Sequence, residues 1–335
     1  MRVPAMHTGL DRRSAEAAVA VAGRAPSIHN TQPWQWKLHR GALEVYSDRS
    51  RQLMVADPDG HSLLISCGAA LELTQLALAS QGWTVRTTQW PDRHQPDLLA
   101  RIEVTDRAEP EPAGTAVIAA ALRRRSDRRP FGPAAVPDEV VERLRHATAA
   151  PGVFVDFPDG AEQHVALTVA IYQADRSERD TPAFAAEMLA WTRADDFTPD
   201  GIPRSAVPHV PPGEPRRTDI PVRDFEVGLP GTQLIASRVD ERPLIAVIMT
   251  EADNDRQRLA AGQAMMRTML QAELDGVACC PLSQSVDLLY FRTRLRELMS
   301  WTGHPQMMLR LGLDLAGQAA PLTARRPLAD VFEVV

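Results

Sequence analysis

Residues 24–36 read Arg-Ala-Pro-Ser-Ile-His-Asn-Thr-Gln-Pro-Trp-Gln-Trp, and the reading of this stretch decides the fold. Upstream, Asp11 suits the N-cap of a helix running through about Ala22, with Ala and Val on its buried face. Downstream, Trp34–His39 and Ala42–Ser47 read as a hairpin around Arg40-Gly41. The connection between helix and strand thus holds five side chains that donate or accept hydrogen bonds (Ser27, His29, Asn30, Thr31, Gln32) between two prolines and two tryptophans. Ser and Asn also turn and cap ordinary loops. A plain connection does not need so many directed polar groups beside such large apolar ones. Apolar walls with a few placed polar groups are what a flat, heteroatom-edged ligand requires.

The remaining chain supplies the frame. With 335 residues, 44% of them hydrophobic, a large core or two ordinary ones can be buried. A formal charge of −6 argues against nucleic acid or anionic membrane as the main partner. No run approaches the roughly eighteen apolar residues of a membrane span, and the N-terminus lacks the apolar core of a signal peptide. Three cysteines, Cys67, Cys279 and Cys280, form neither a disulfide framework nor zinc-ligand spacing, which fits a reducing cytoplasm. Ser62 to Gln81 reads as a long helix closed by Gly82, and Asn254–Asp275 as another closed by Gly276. Strands are expected at Trp83–Gln89, Leu98–Thr105, Val153–Phe157, Leu244–Thr250, Val277–Cys280 and Gln306–Leu313, and helices from Thr115 to Arg125, from Pro137 through Ala149, in two pieces over Gly160–Ala194, and over Gln284–Met299. Glu109–Gly114 reads as a linker between a first unit (1–108) and a second (115–335). Asp195 to Gly231 is rich in Pro, Gly and charge, and reads as a lid or a surface insert. No Gly-x-Gly-x-x-Gly follows a strand, so no dinucleotide-binding domain is expected.

Ala-Pro-Ser-x-x-Asn-x-Gln-Pro-Trp resembles the signature of the nitroreductase family of FMN flavoproteins, and Ser-Ile-His-Asn-Thr-Gln-Pro-Trp resembles its Acg branch of NAD(P)H nitroreductases. The resemblance implies an α+β fold and FMN as cofactor. It assigns Pro26, Ser27, Asn30 and Gln32 to the flavin's ribityl chain and ring edge, and Trp34 to its backing. Arg124, Ser126 and Arg128 match the family's phosphate motif, and Arg325 and Arg326 its C-terminal basic residues. A guanidinium fork suits a phosphate because it donates paired, charge-assisted hydrogen bonds. Pro281, Leu282 and Ser283 fall where the family brings backbone N–H groups to flavin N5 and O4. Many members carry an acidic residue and a glycine there. Ser283 and Gln284 replace them here, which changes the space over N5. His29 reads as a structural residue, and Cys279 and Cys280 as packing residues.

The order of elements repeats. Gly68 and Gly82 bracket one helix core, and Gly262 and Gly276 another at the same spacing. The two halves therefore read as divergent copies of one α+β unit. Family members are typically homodimers with FMN between subunits, so this chain is expected to be a monomer mimicking a dimer, with one intact flavin site. Two functions remain open: an oxidoreductase passing hydride from NAD(P)H through FMN to a nitroaromatic or quinone-like acceptor, or a flavin-sequestering protein with a lidded site and little turnover.

Overall fold

The computed structural model describes residues 9–110, 112–207, 220, 223, 225, 241–313 and 320–335. The Ala/Val-rich segment forms α1 (Arg12–Ala22), whose first turn is capped by Asp11 accepting from the Ser14 N–H at 2.8 Å. The hairpin is β1 (Trp34–His39) and β2 (Ala42–Ser47). The long helix α2 (His61–Ser80) leads into β3 (Trp83–Gln89) and β4 (Leu98–Arg107). The linker expected over 109–114 is shorter than its composition suggests: α3 (Pro112–Arg123) starts inside it, as a proline in the first helical turn permits. Next come α4 (Asp138–Thr148), β5 (Val153–Asp156), α5 (Ala161–Arg179) and α6 (Pro182–Ala190). β6 (Thr192–Arg193) lies just before the insert, which contributes β7 (Ile202–Pro203). Of the expected lid, only residues 195–207, 220, 223 and 225 are described. The chain continues through β8 (Leu244–Thr250), α7 (Asp255–Leu274), β9 (Ala278–Leu282), α8 (Gln284–Asp287), α9 (Leu289–Leu298), β10 (His304–Gly312), α10 (Leu328–Val331) and β11 (Phe332–Val334). The helix expected over Gln284–Met299 is broken at Leu288, which is extended. Arg292 donates to the Val286 and Asp287 carbonyls and so satisfies the end of α8.

A five-stranded sheet has the order β11-β1-β2-β4-β3, and a four-stranded one β5-β8-β10-β9. The last strand, β11, pairs parallel with β1, Trp36 opposite Phe332. It sits with the first sheet rather than with the unit it follows in sequence. Burial alternates along β1, with Trp34 and Trp36 inward and their rings 5.9 Å apart. Trp36 Nε1 donates to Thr74 Oγ1 of α2 at 3.2 Å, so its polar atom is satisfied inside the core.

The core is centred on α2 and α7. Nearly every face of α2 is buried, which explains its lack of a polar stripe. Among the described residues α2 is the one helix long and apolar enough to cross a membrane. The sequence reading expected no such run; here the helix is the buried centre of the core. Gly68 of α2 and Gly262 of α7 meet where the helices cross. A Cβ on Gly68 would lie 2.1 Å from the Leu259 carbonyl oxygen, and one on Gly262 would lie 2.1 Å from that of Ile65. Glycine is required at both because backbone faces backbone.

The N-terminus of α2 is held by Asp57, which accepts from the Ser62 and Leu63 N–H groups at 2.9 and 2.8 Å. Asp57→Ala is expected to cost about 1–2 kcal/mol, the value of a lost helix cap. Urea denaturation checks this, and a change below a few tenths of a kcal/mol would remove Asp57 as the cap.

Candidate functional site

The signature loop, between α1 and β1, is bent by three non-glycine residues in left-handed conformations: His29 (φ 44°), Asn30 (φ 55°) and Gln32 (φ 49°). Such backbone is uncommon, and it persists where the surroundings over-determine it, often at sites of function. The loop is fixed on several sides. Ser27 Oγ accepts from the Gln32 N–H, and Ser66 Oγ of α2 accepts from the Ile28 N–H. Asn30 Nδ2 donates to the carbonyls of Gly201 and Ala324, so the insert and the C-terminal tail both dock on it.

Beside this loop lies a pocket enclosing about 870 Å³ of atom-free space, open solvent at its mouth included. Pro26, Ser27, His29 and Asn30 come from the loop. Ile65 and Ser66 come from α2, and Met265 from α7. Ser126 and Arg128 follow α3, Pro281, Leu282 and Ser283 lie at the end of β9, and Thr323 and Arg325 belong to the tail. Ile202, Arg223 and Phe225 of the insert line it as well.

The structure thus brings together Pro26, Ser27, Asn30, Ser126, Arg128, Pro281, Leu282, Ser283 and Arg325 around one cavity. Four other residues named from the sequence do not line it. Trp34 is fully buried in the core against Trp36, so it is a packing residue. The Gln32 amide is spent elsewhere: Nε2 donates to the Pro199 carbonyl and Oε1 accepts from the Arg326 N–H. Arg326 holds the tail in place by donating to the Gln32 and Asp330 carbonyls. Arg124 is buried just behind the pocket wall, donating to the Arg24 carbonyl at 3.1 Å.

Two electrostatic features stand out. Arg124 and Arg325 have no carboxylate partner among the described residues, and Arg124 Nε and Nη1 and Arg325 Nε are buried without hydrogen bonds. Burial first, then the charges of Arg124, Arg24 and Arg125, hold the Arg325 guanidinium well below its ordinary value. Burial, together with Arg24 and Arg125, pulls Arg124 down to about 10. This is positive charge crowded out of water, a setting that favours an anion.

The second feature is a closed ion network. Arg223 donates from Nε and Nη2 to Glu178 at 3.0 and 2.7 Å, and from Nη2 to Asp287 at 2.7 Å. Asp287 also accepts from Ser62 Oγ and Ser283 Oγ. Burial pushes Glu178 up to about 7, against the pull of Arg223. Two residues on, Phe225 packs against the His29 ring at 5.7 Å and lies under the Arg128 guanidinium at 5.0 Å. Phe225 is among the insert's aromatic residues that suit a lid, whereas sequence reasoning missed Arg223 because nothing distinguishes it from its neighbours in a charged, proline-rich insert. It also placed His29 among structural residues, although the left-handed loop turns that residue to the pocket wall. Cys279 and Cys280 are buried, and burial raises both thiols.

Residues 121–313 match a family model described as the nitroreductase family. The protein named "Putative NAD(P)H nitroreductase Rv3131" of Mycobacterium tuberculosis (strain ATCC 25618 / H37Rv) is 33% identical over 328 residues, covering 96% of this chain and 92% of that relative. The chain belongs to the nitroreductase family. A second relative from the same strain, "Putative NAD(P)H nitroreductase acg", is 30% identical over 328 residues, covering 95% of each chain. Among solved structures, the FMN-dependent nitroreductase NfnB from Mycobacterium smegmatis in complex with NADPH aligns with a TM-score of 0.41 at 19% identity, covering 65% of this chain and 97% of that one. Membership of the nitroreductase family makes this chain an oxidoreductase.

Proposed function

We propose that the pocket binds FMN and that the chain is an NAD(P)H-dependent FMN oxidoreductase acting on a small-molecule acceptor such as a nitroaromatic or quinone. The observation that carries this reading is a pair of guanidiniums with no carboxylate partner among the described residues, Arg124 and Arg325, whose Nε atoms are buried without a hydrogen bond, near a cavity lined by Ser27, Asn30, Ser126 and Arg128. The phosphate of FMN, nearly doubly charged, would satisfy the orphaned donors and offset the crowded positive charge. When bound, FMN would supply the hydride-accepting centre that links NAD(P)H to the acceptor. The chain's own residues bind and orient. Ser27 holds the loop through the Gln32 N–H. Ser283, bonded to Asp287, fixes the turn at the end of β9. Ile65, Met265 and Met307 supply apolar wall. Burial first, then Arg223 and Arg128, hold the His29 imidazole neutral, well below its ordinary value.

We also infer that the two halves are divergent copies that together imitate a family dimer. The crossing of α2 and α7 supports it: Gly68 and Ile65 lie as many residues before Gly262 and Leu259 as Gly82 lies before Gly276.

The contribution of the insert to the pocket wall favours the second reading, flavin sequestration, in which Phe225 and Ile202 leave no room for nicotinamide. One experiment separates the two. FMN-loaded protein is mixed anaerobically with NADPH and, separately, NADH in a stopped-flow spectrophotometer. Bleaching of the flavin band within seconds is the expected result. A band that persists with both and bleaches with dithionite establishes sequestration. Failure to retain FMN at all overturns the assignment of the pocket.

A further inference from the structure

His29 is neutral, buried and held by one ring nitrogen. Its Nε2 lies 2.9 Å from Arg223 Nη1. A guanidinium only donates, so Nε2 accepts and the proton of the neutral ring resides on Nδ1. Arg223 cannot easily turn away, because Glu178 and Asp287 hold its Nε and Nη2. The other nitrogen, Nδ1, is shut off from solvent and meets no acceptor among the described residues. The next residue shows the complement: Asn30 commits Nδ2 to two carbonyls and leaves Oδ1 buried without a donor. Both residues line the pocket, and both are set by left-handed backbone. An unmet donor and an unmet acceptor on adjacent residues are costly to leave unpaired and fit an amide-like edge.

We propose that His29 is a positioning residue, locked by Arg223 as a donor at Nδ1, which with Asn30 Oδ1 reads an imide or amide edge of the pocket's ligand. The flavin pyrimidine ring carries such an edge, and so does a nicotinamide carboxamide. The proposal rests on the reading of this cavity as the ligand site. It adds a lock running from the insert, through Arg223, to the signature loop.

The test begins without flavin. In ¹⁵N-histidine-labelled apoprotein, the His29 ring should show its proton on Nδ1, with His29→Asn identifying its signals among those of the nine histidines. A proton on Nε2 overturns the lock. FMN added to apoprotein, and NADP⁺ added to FMN-loaded protein, then distinguish the two edges by which one shifts the Nδ1 resonance. A shift with neither overturns the proposal. His29→Ala should weaken binding of the ligand that causes the shift by about tenfold, the worth of one hydrogen bond of this kind. His29→Asn should restore it to within about twofold. Asparagine can place an amide N–H near the lost Nδ1 and tolerates left-handed backbone. Equal losses in both variants would make His29 a packing residue against Phe225. If His29→Ala does not fold, the resonance shift and His29→Asn still decide. Protein that keeps the Nδ1 proton but binds no FMN overturns the flavin reading and leaves the lock standing.

Discussion

Gly262→Ala is expected to leave little folded protein, and Gly68→Ala the same. A methyl group at either position would stand 2.1 Å from a carbonyl oxygen of the other helix. The obstacle is backbone, so no side chain can rotate aside. The helices must part instead, and α2 and α7 make the most extensive helix–helix contact among the described residues. Overpacking typically costs about 1–3 kcal/mol where neighbours can adjust. Two rigid helices cannot, so the cost here should exceed about 4 kcal/mol, much of the 5–15 kcal/mol that holds a typical domain together. Ile65, Ser66 and Met265 ride on these helices, so any residual folded fraction should also lose the pocket. Gly276→Ala is the control. It has φ +70° but nothing within 4 Å of its missing Cβ, so it should cost only about 1 kcal/mol of backbone strain. Thermal and urea denaturation of the three variants decide the matter. A Gly262→Ala protein melting within a few degrees of the parent would show that the crossing is not tight.

Arg325→Gln should separate affinity from stability. The guanidinium stands near Arg24, Arg124 and Arg125 with no carboxylate among the described residues to balance it, so removing its charge relieves repulsion in the apoprotein. Its lost bonds, to Thr323 and Ala324 of its own turn, offset part of that relief. Apoprotein stability is therefore expected to stay within about 1 kcal/mol of the parent. FMN affinity should fall by about a hundredfold or more, since two charge-assisted hydrogen bonds to a phosphate are worth about 3 kcal/mol or more together. Arg325→Lys should fall between the two, keeping charge and losing the fork. Fluorescence titration with FMN at two salt concentrations gives the affinities, and the parent should show the steeper salt dependence. Unchanged affinity in Arg325→Gln would remove the phosphate from this corner of the pocket. A fall in stability matching the fall in affinity would make Arg325 a scaffold residue.

The frame of this fold was legible because its signals are local. The hairpin at Arg40-Gly41 carries its turn in the sequence, and α2 and α7 run from turn residues to terminal glycines, each located to within a residue or so. Nine of the thirteen named site residues line one cavity, and five of them come from two short stretches, 26–30 and 126–128, that fix their own geometry. What escaped depends on partners far along the chain. His29 gains its meaning from Arg223, and Gln32 loses its expected one to Pro199 and Arg326. The break at Leu288 comes from the side chain of Arg292 folding back onto carbonyls, a capping interaction that leaves no mark in hydropathy. Trp34 has the motif position of a ligand contact and the strand parity of a core residue, and parity prevailed.

The pairing of β11 with β1 sets an order on biosynthesis. The first sheet is edged by residues some three hundred positions after β1: the Val335 N–H donates to the Leu38 carbonyl, and Glu333 sits 3.2 Å from Lys37. Thr323 and Arg325 reach the pocket on the same tail. Until residues 320–335 have been made, a nascent chain can hold its amino-terminal sheet only with an open edge, and its pocket only without Arg325. Ligand capture and sheet closure therefore wait on the same late segment, and a chain stalled or clipped short of Leu322 forfeits both together.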